Sequence, residues 1–515
     1  MHHALEIQEI LSNIFGCCYP SDLPSLARTC RAFKEPALDV LWEMLDNLSA
    51  IARCLPQASE KSSSDEVRRF RIFITLCLMV NKYSFSRPLT QTEWDILQSY
   101  TRRIRFIFIH NFNDGLDEEC FTTLSNPPTT EPLFPNLRYL YFEYTAEGRV
   151  LQLPFPSLIS LNISSESAYW LKEPFESFPQ SSPDIRRLLL DVNVDQSDVT
   201  FSKLVSACIC QWQNLQTVVC FDIPLDVDAL VHLSRMPALT QLDFALSSTL
   251  LFPDSTLFFS NLRDVTLRSE SLHLISRFLC WAQLPVITHF TATIRNSPSR
   301  LDLISFWASV HTSNAGRTID DFKLHQMPLL ASNVVRLDLL LCLEDLQPCM
   351  AFSSLRHLVV NIDWNVGLTD SGLLALASTW PHLESLSINA YLGRRTLGGI
   401  TPDGLRQLLQ KCRSLSSIAL AIDTRGYTEL PPSGLLASLG LPLPPTISLN
   451  VLDSIIEAES VLALAAFFAR TPFSHFTLSA WGRGRVVRPL DCQIYGDRWD
   501  DVYRRANTSS ATDLE

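Results

Sequence analysis

The side chains best able to do chemistry here are fourteen cysteines and eleven histidines. The closest cysteine pairs are Cys17-Cys18 and Cys208-x-Cys210. No C-x-x-C pair is matched by a second, which argues against a zinc site, and the histidines lack ligand spacing. The simplest reading of the thiols is reduced side chains, most of them small core residues. Nucleophile and phosphate chemistry fare no better. Gly393 and Gly398-Gly399 lack the Lys-Ser/Thr ending of a phosphate loop, and neither His-Glu-x-x-His nor Gly-x-Ser-x-Gly occurs. Gly482-Arg-Gly484-Arg485 is read as a short solvated basic turn. The sequence therefore predicts no catalytic residue, no metal and no cofactor. The function expected is one of binding, not of bond chemistry.

The elements that would position binding residues are clearer. Lys+Arg number 42 and Asp+Glu 54, a net charge of −12, over 515 residues that are 46% hydrophobic. That chain is long enough for two or more folded units, and its acidity opposes sequence-independent nucleic-acid binding. Met1-His2-His3 lacks the basic start of a signal peptide, and the apolar run 72–80 is too short to span a bilayer. A cytoplasmic or nuclear protein without membrane contact is expected.

From about residue 101 to 490 one pattern returns: apolar-x-x-apolar-x-apolar. It reads Ile104-Arg-Phe-Ile107-Phe-Ile109, Leu137-Arg-Tyr-Leu140-Tyr-Phe142 and Leu158-Ile-Ser-Leu161-Asn-Ile163. Further copies start at Ile185, Leu215, Leu239, Leu262, Val334, Leu355, Leu383 and Leu415, with weaker ones at Ile287 and Phe473. Degenerate copies are placed at Ile319–Leu324 and around Ile447–Leu449. Apolar residues at helical spacing lie between them, as in 371–378 and 403–410, often closed by a proline such as Pro237, Pro285 or Pro381. A strand and a helix every twenty to thirty residues cannot bury their own apolar faces and must stack on their neighbours. An α/β solenoid follows, with strands in an inner parallel sheet and helices outside. A plain helical bundle would not explain the strand patterns.

These copies resemble the leucine-rich repeat family, and the stretches 368–388 and 400–420 are similar to its cysteine-containing subtype, typical of F-box proteins. The family's usual Asn or Cys after the strand is replaced here by Ser247, Asp363, Tyr391 and Asp423. The non-core strand positions would face the concave surface: Phe106, Phe108 and His110, then Tyr139, Tyr141 and Glu143, with Asp264, Thr266, Arg268, His357, Val359 and Asn361 later. This predicts a mixed, largely uncharged face with aromatics at its start. Phe106, Phe108, Tyr139 and Tyr141 are candidates for partner binding, or else are covered by an amino-terminal cap. No arginine cluster for phosphate recognition is visible.

Residues 1–50 carry three short helical patterns. Ile7, Ile10, Leu11, Ile14 and Phe15 share one face, Ser21-Asp22 can cap a second helix, and Pro36 can start a third. The Glu9-Ile10-Leu11 run, Ile14-Phe15, the Leu26–Cys30 helix with Arg31 and Phe33, and Pro36-Ala37-Leu38-x-x-Leu41-Trp42 resemble the F-box of fungal F-box proteins. Glu6-Ile7 stand where that family has Leu-Pro. The resemblance implies docking on a Skp-type adaptor, and through it a cullin, by Ile10, Leu11, Ile14, Phe15, Leu23, Leu26, Leu41 and Trp42. It implies a ubiquitin-ligase substrate receptor whose repeats hold a target protein; the alternative is an interaction scaffold that assembles no ligase. The expected divisions are an F-box-like three-helix domain at 1–50, a helical connector at 51–100, the solenoid at 101–490 and a polar tail at 491–515.

Overall fold

The computed structural model describes residues 7–56, 58–61, 82–110, 116–143, 148–193, 199–253, 255–313, 318–327, 339–390, 399–428, 446–469, 475–481 and 492–508. The run 72–80, residues 334–338 of one expected repeat, Gly393, Gly398 and the 482–485 turn lie outside them. The chain forms two compact units, 1–239 and 240–515. Each is α/β and solenoid-like, built of parallel strands alternating with helices.

The first unit opens with helices Gln8–Gly16, Leu23–Thr29 and Arg31–Leu41. Leu11, Phe15, Leu23 and Ala37 form their common core, with Leu26, Phe33, Val40 and Leu41 against it. The chain then enters the sheet at once, earlier than the expected boundary at residue 101. Met44–Leu45 pairs in parallel with Phe106–His110, and both Arg105 and Phe106 donate their N–H to the Glu43 carbonyl. Strands Tyr139–Glu143, Ser160–Ser165, Arg187–Val192 and Thr217–Pro224 follow in order, all parallel. The segment 51–100 is not wholly helical. Ala58–Lys61 and Lys82–Phe85 form an antiparallel pair before helix Gln91–Thr101.

Among the described residues of the second unit, the large parallel sheet runs Gln241–Leu246, Asp264–Ser269, His289–Ile294, Asp321–Gln326, His357–Asn361, Ser385–Ile388, Ser417–Ala419, Thr446–Asn450 and His475–Ser479. The degenerate copy at 319–324 is thus a full strand. It pairs directly with His357–Asn361.

The pattern itself explains the packing. In Arg187–Val192, for example, Leu188, Leu190 and Val192 are buried while Arg187 and Asp191 are exposed. Each buried leucine contributes roughly 2 kcal/mol. Helix ends are fixed locally: Asp226, Ser299, Thr369 and Thr401 each accept a backbone N–H from the first turn of their helices. Buried indoles tie neighbouring repeats: Trp212 Nε1 donates to the Ser182 carbonyl at 2.9 Å and Trp307 Nε1 to that of Asp345 at 3.0 Å. Cys208 and Cys412 sit in the core, where burial pushes their thiols up to about 12 and about 11. The expectation that most cysteines are core residues is corrected: of the thirteen described, only Cys120, Cys208, Cys220, Cys349 and Cys412 are buried, while Cys17 and Cys280 are exposed.

The regular turn asparagine is replaced by scattered substitutes. Asn389 is fully buried at φ +54°, accepts the Ile362 N–H at 3.0 Å and donates to the Trp364 carbonyl at 2.7 Å. Ser454 accepts from Ile422 N–H, and Gln326 from Asp363 N–H. The expected polar tail is corrected for residues 492–508. Cys492–Thr508 is a helix that buries Trp499 and Val502 against helix Ser460–Ala469 and the last strand. Its buried residues Trp499, Val502 and Ala506 fall three and then four apart, so a mostly polar sequence still owns one apolar edge.

Candidate functional site

Three surfaces collect the side chains that could bind. The first is the front helical trio. Of the residues assigned to adaptor docking, Leu11, Phe15 and Leu23 are 1–3% exposed and form the core, so they support the helices and offer no surface of their own. Leu26 and Leu41 are half-buried beside that core. Ile10 and Ile14 are exposed, and Ile7 extends their stripe. Trp42 is half-buried and stacks on Tyr100 at 4.7 Å between centroids. The same junction carries an ion cluster. Arg103 at the end of helix Gln91–Thr101 binds both Glu35 and Asp39 of helix Arg31–Leu41. Sequence spacing gave no sign of this clamp, because its partners lie more than sixty residues apart.

The second surface is the sheet face of the first unit that carries the non-core strand positions. Parallel register sets equivalent residues side by side about 4.8 Å apart. Phe106 lies opposite Tyr139, and Phe108 opposite Tyr141. Phe106 and Tyr139 stack at 4.6 Å, and Phe108 meets Tyr141 at 5.7 Å. All four rings are half-buried. The sequence grouped these four together, and the structure brings them into contact. One position earlier on each strand, the register brings Arg105, Arg138 and Arg186 into a single row, with Arg187 beside it. The reading that no arginine cluster exists is corrected: arginines from three strands, the farthest 82 residues apart in sequence, are brought to one sheet edge only by strand pairing.

The third surface is the corresponding face of the second unit. Asp264, His289, Asp321 and His357 lie in register on four successive strands, an alternating row of carboxylates and imidazoles. Lys323 Nζ bonds Asp321 at 2.7 Å. His289 lies 4.0 Å from Asp320, and His357 3.8 Å from Glu384. Burial pushes the Asp264 carboxyl up and His325 down, the latter with help from Lys323. Asn361 Nδ2 lies 3.2 Å from His325 Nδ1. Farther along, Arg268 forms a two-point bond with Asp243, both contacts at 3.0 Å. The expectation of a largely uncharged face is therefore corrected for this unit. Sequence reading missed the row because two of its strands, those of His289 and Asp321, belong to its weakest copies.

Among the described residues no group of three or more His, Cys, Asp or Glu side chains is placed to hold a metal ion. None of the described helices is long and apolar enough to cross a membrane. No protein-family model matches the chain, and no curated protein matches it.

Proposed function

We propose that the chain is the substrate-recognition subunit of a Skp–cullin–F-box ubiquitin ligase. In this reading the front helices are an F-box that docks on a Skp-type adaptor. The leucine-rich-repeat strands behind them hold a target protein in the cytoplasm or nucleus. The observation that carries it is the split face of helix Gln8–Gly16. Leu11 and Phe15 turn inward, while Ile7, Ile10 and Ile14 stay 36–46% exposed in the very segment whose residues resemble an F-box. An apolar stripe exposed on so small a helical unit calls for a companion. The protein would make no bond itself. It would act by proximity, raising the effective concentration of target lysines near the conjugating enzyme.

The test is capture of purified adaptor by the full chain. Ile10→Asp with Ile14→Asp is expected to weaken capture at least about tenfold while leaving the melting temperature unchanged, since both side chains are exposed. Leu11→Asp should instead unfold the trio. The second reading is an interaction scaffold whose F-box-like segment assembles no ligase, and the Glu6-Ile7 departure favours it. Failure of the intact chain to capture adaptor would select that reading.

A further inference from the structure

Among the described residues no ion pair is formed by the arginine row of the first unit. Arg138 N–H donates to the Arg105 carbonyl at 2.9 Å, Ile159 N–H to that of Arg138 at 3.0 Å, and Arg186 N–H to that of Ile159 at 2.9 Å. These bonds fix the order Arg105, Arg138, Ile159, Arg186 along the edge where the strands begin. Arg187 opens the next row, following Phe106, Tyr139 and Ser160 in register. Arg138, Arg186 and Arg187 are exposed and Arg105 is half-buried. Among the described residues none forms an ion pair with these four. Their neighbours Arg102 and Arg103 are already bound, to Glu131 and to Glu35 with Asp39. Glu43 stands at the head of the row and Asp184 two residues before Arg186. A protein of net charge −12 thus carries a positive edge beside stacked aromatic rings.

We infer that this edge and the ring face together bind an extended, carboxylate-rich segment of the target. The inference rests on the reading above that the ring face holds a target, and it names that target's chemistry. Planar guanidinium groups suit carboxylate oxygens, and pairs of them can share one anion. Two strand spacings separate Arg138 from Arg186, about 10 Å. A peptide in the extended polyproline II conformation, three residues per turn at about 3.1 Å each, covers the same distance in about three residues and returns its side chain to the same face. Acidic residues three apart would meet Arg105 with Arg138 and then Arg186 with Arg187. Apolar side chains between them would fall on Ile159, Phe106 and Tyr139.

The experiment is fluorescence anisotropy on the full chain, without adaptor. The probes are a labelled dodecapeptide with Glu at every third position among Leu and Tyr, its Lys counterpart and its phosphoserine counterpart. The Glu peptide is expected to bind and the Lys peptide not, with affinity falling as salt rises. Arg138→Glu with Arg186→Glu should weaken Glu-peptide binding at least about tenfold without moving the melting temperature. Equal binding of Glu and Lys peptides, no binding of the Glu peptide, unchanged affinity in the variant, or binding of the phosphoserine peptide alone would each overturn the inference. Adaptor capture by the same variant is expected to stay intact. Its loss would count against an independent adaptor surface and so against the proposed function, separately from the peptide result.

Discussion

Asn389 shows how one residue can carry a turn. Its backbone lies in the left-handed region that a β-carbon disfavours, and its amide satisfies an N–H and a carbonyl that are otherwise buried. Asn389→Ala is expected to cost about 2–4 kcal/mol in urea unfolding, because both backbone groups lose their partner and the strain remains. Asn389→Gly should recover about 1 kcal/mol of that by removing the strain alone. The sequence located the strand before this turn, since Leu383, Leu386 and Ile388 announce it by spacing. It misplaced the polar residue by two positions, looking to Tyr391, because turn chemistry depends on which carbonyl happens to be left over.

At the scale of the element, helix Gln91–Thr101 is held at its start by Glu93. The carboxylate accepts from Thr90 N–H at 2.8 Å and from the Thr90 hydroxyl, and it pairs with Arg87 at 2.9 and 3.0 Å. The Arg87 guanidinium, and then the Thr90 bonds, hold its carboxyl down at about 2. The folded value lies below the ordinary glutamate value of roughly 4.3. The stabilisation is therefore complete above that range and fades as pH falls through about 2. Glu93→Gln should melt below the parent protein at pH 6, and the gap should close as the pH approaches 2 in a series of thermal melts. Strands were legible as elements because their inward leucines repeat. Their register was not, since it depends on the length of each intervening helix and loop. That is why the Asp264–His289–Asp321–His357 row and the arginine row escaped the sequence while the four neighbouring rings did not: adjacent strong copies need no register to be seen together.

At the scale of the molecule, the second unit ends on a helix where composition suggested a tail. Trp499 and Trp481 both donate to the Ser454 carbonyl at 2.9 Å, and Arg498 donates to the Ile456 carbonyl at 2.7 Å. Helix Ser460–Ala469, apolar over most of its surface, lies beneath. A chain ended at residue 491 is expected to bind a hydrophobic dye and self-associate in size-exclusion chromatography. Trp499→Ala should cost about 3–5 kcal/mol in the full chain. Average polarity misled here, because one indole and one valine on a single helical edge weigh more than the charged residues around them.

The Arg103 clamp and the Glu43 carbonyl have one more implication. A tethered module sweeps out a cloud of positions, so anything it grips arrives at all angles and distances. The front helices of this chain are bolted to the sheet edge by main-chain bonds and a guanidinium bracket, which turns a leash into a mount. Under the proposed function, cargo on the ring face and a machine on the helices would be aimed at one another along a fixed bearing, and cutting the bracket at Arg103 would blur that aim without loosening either grip.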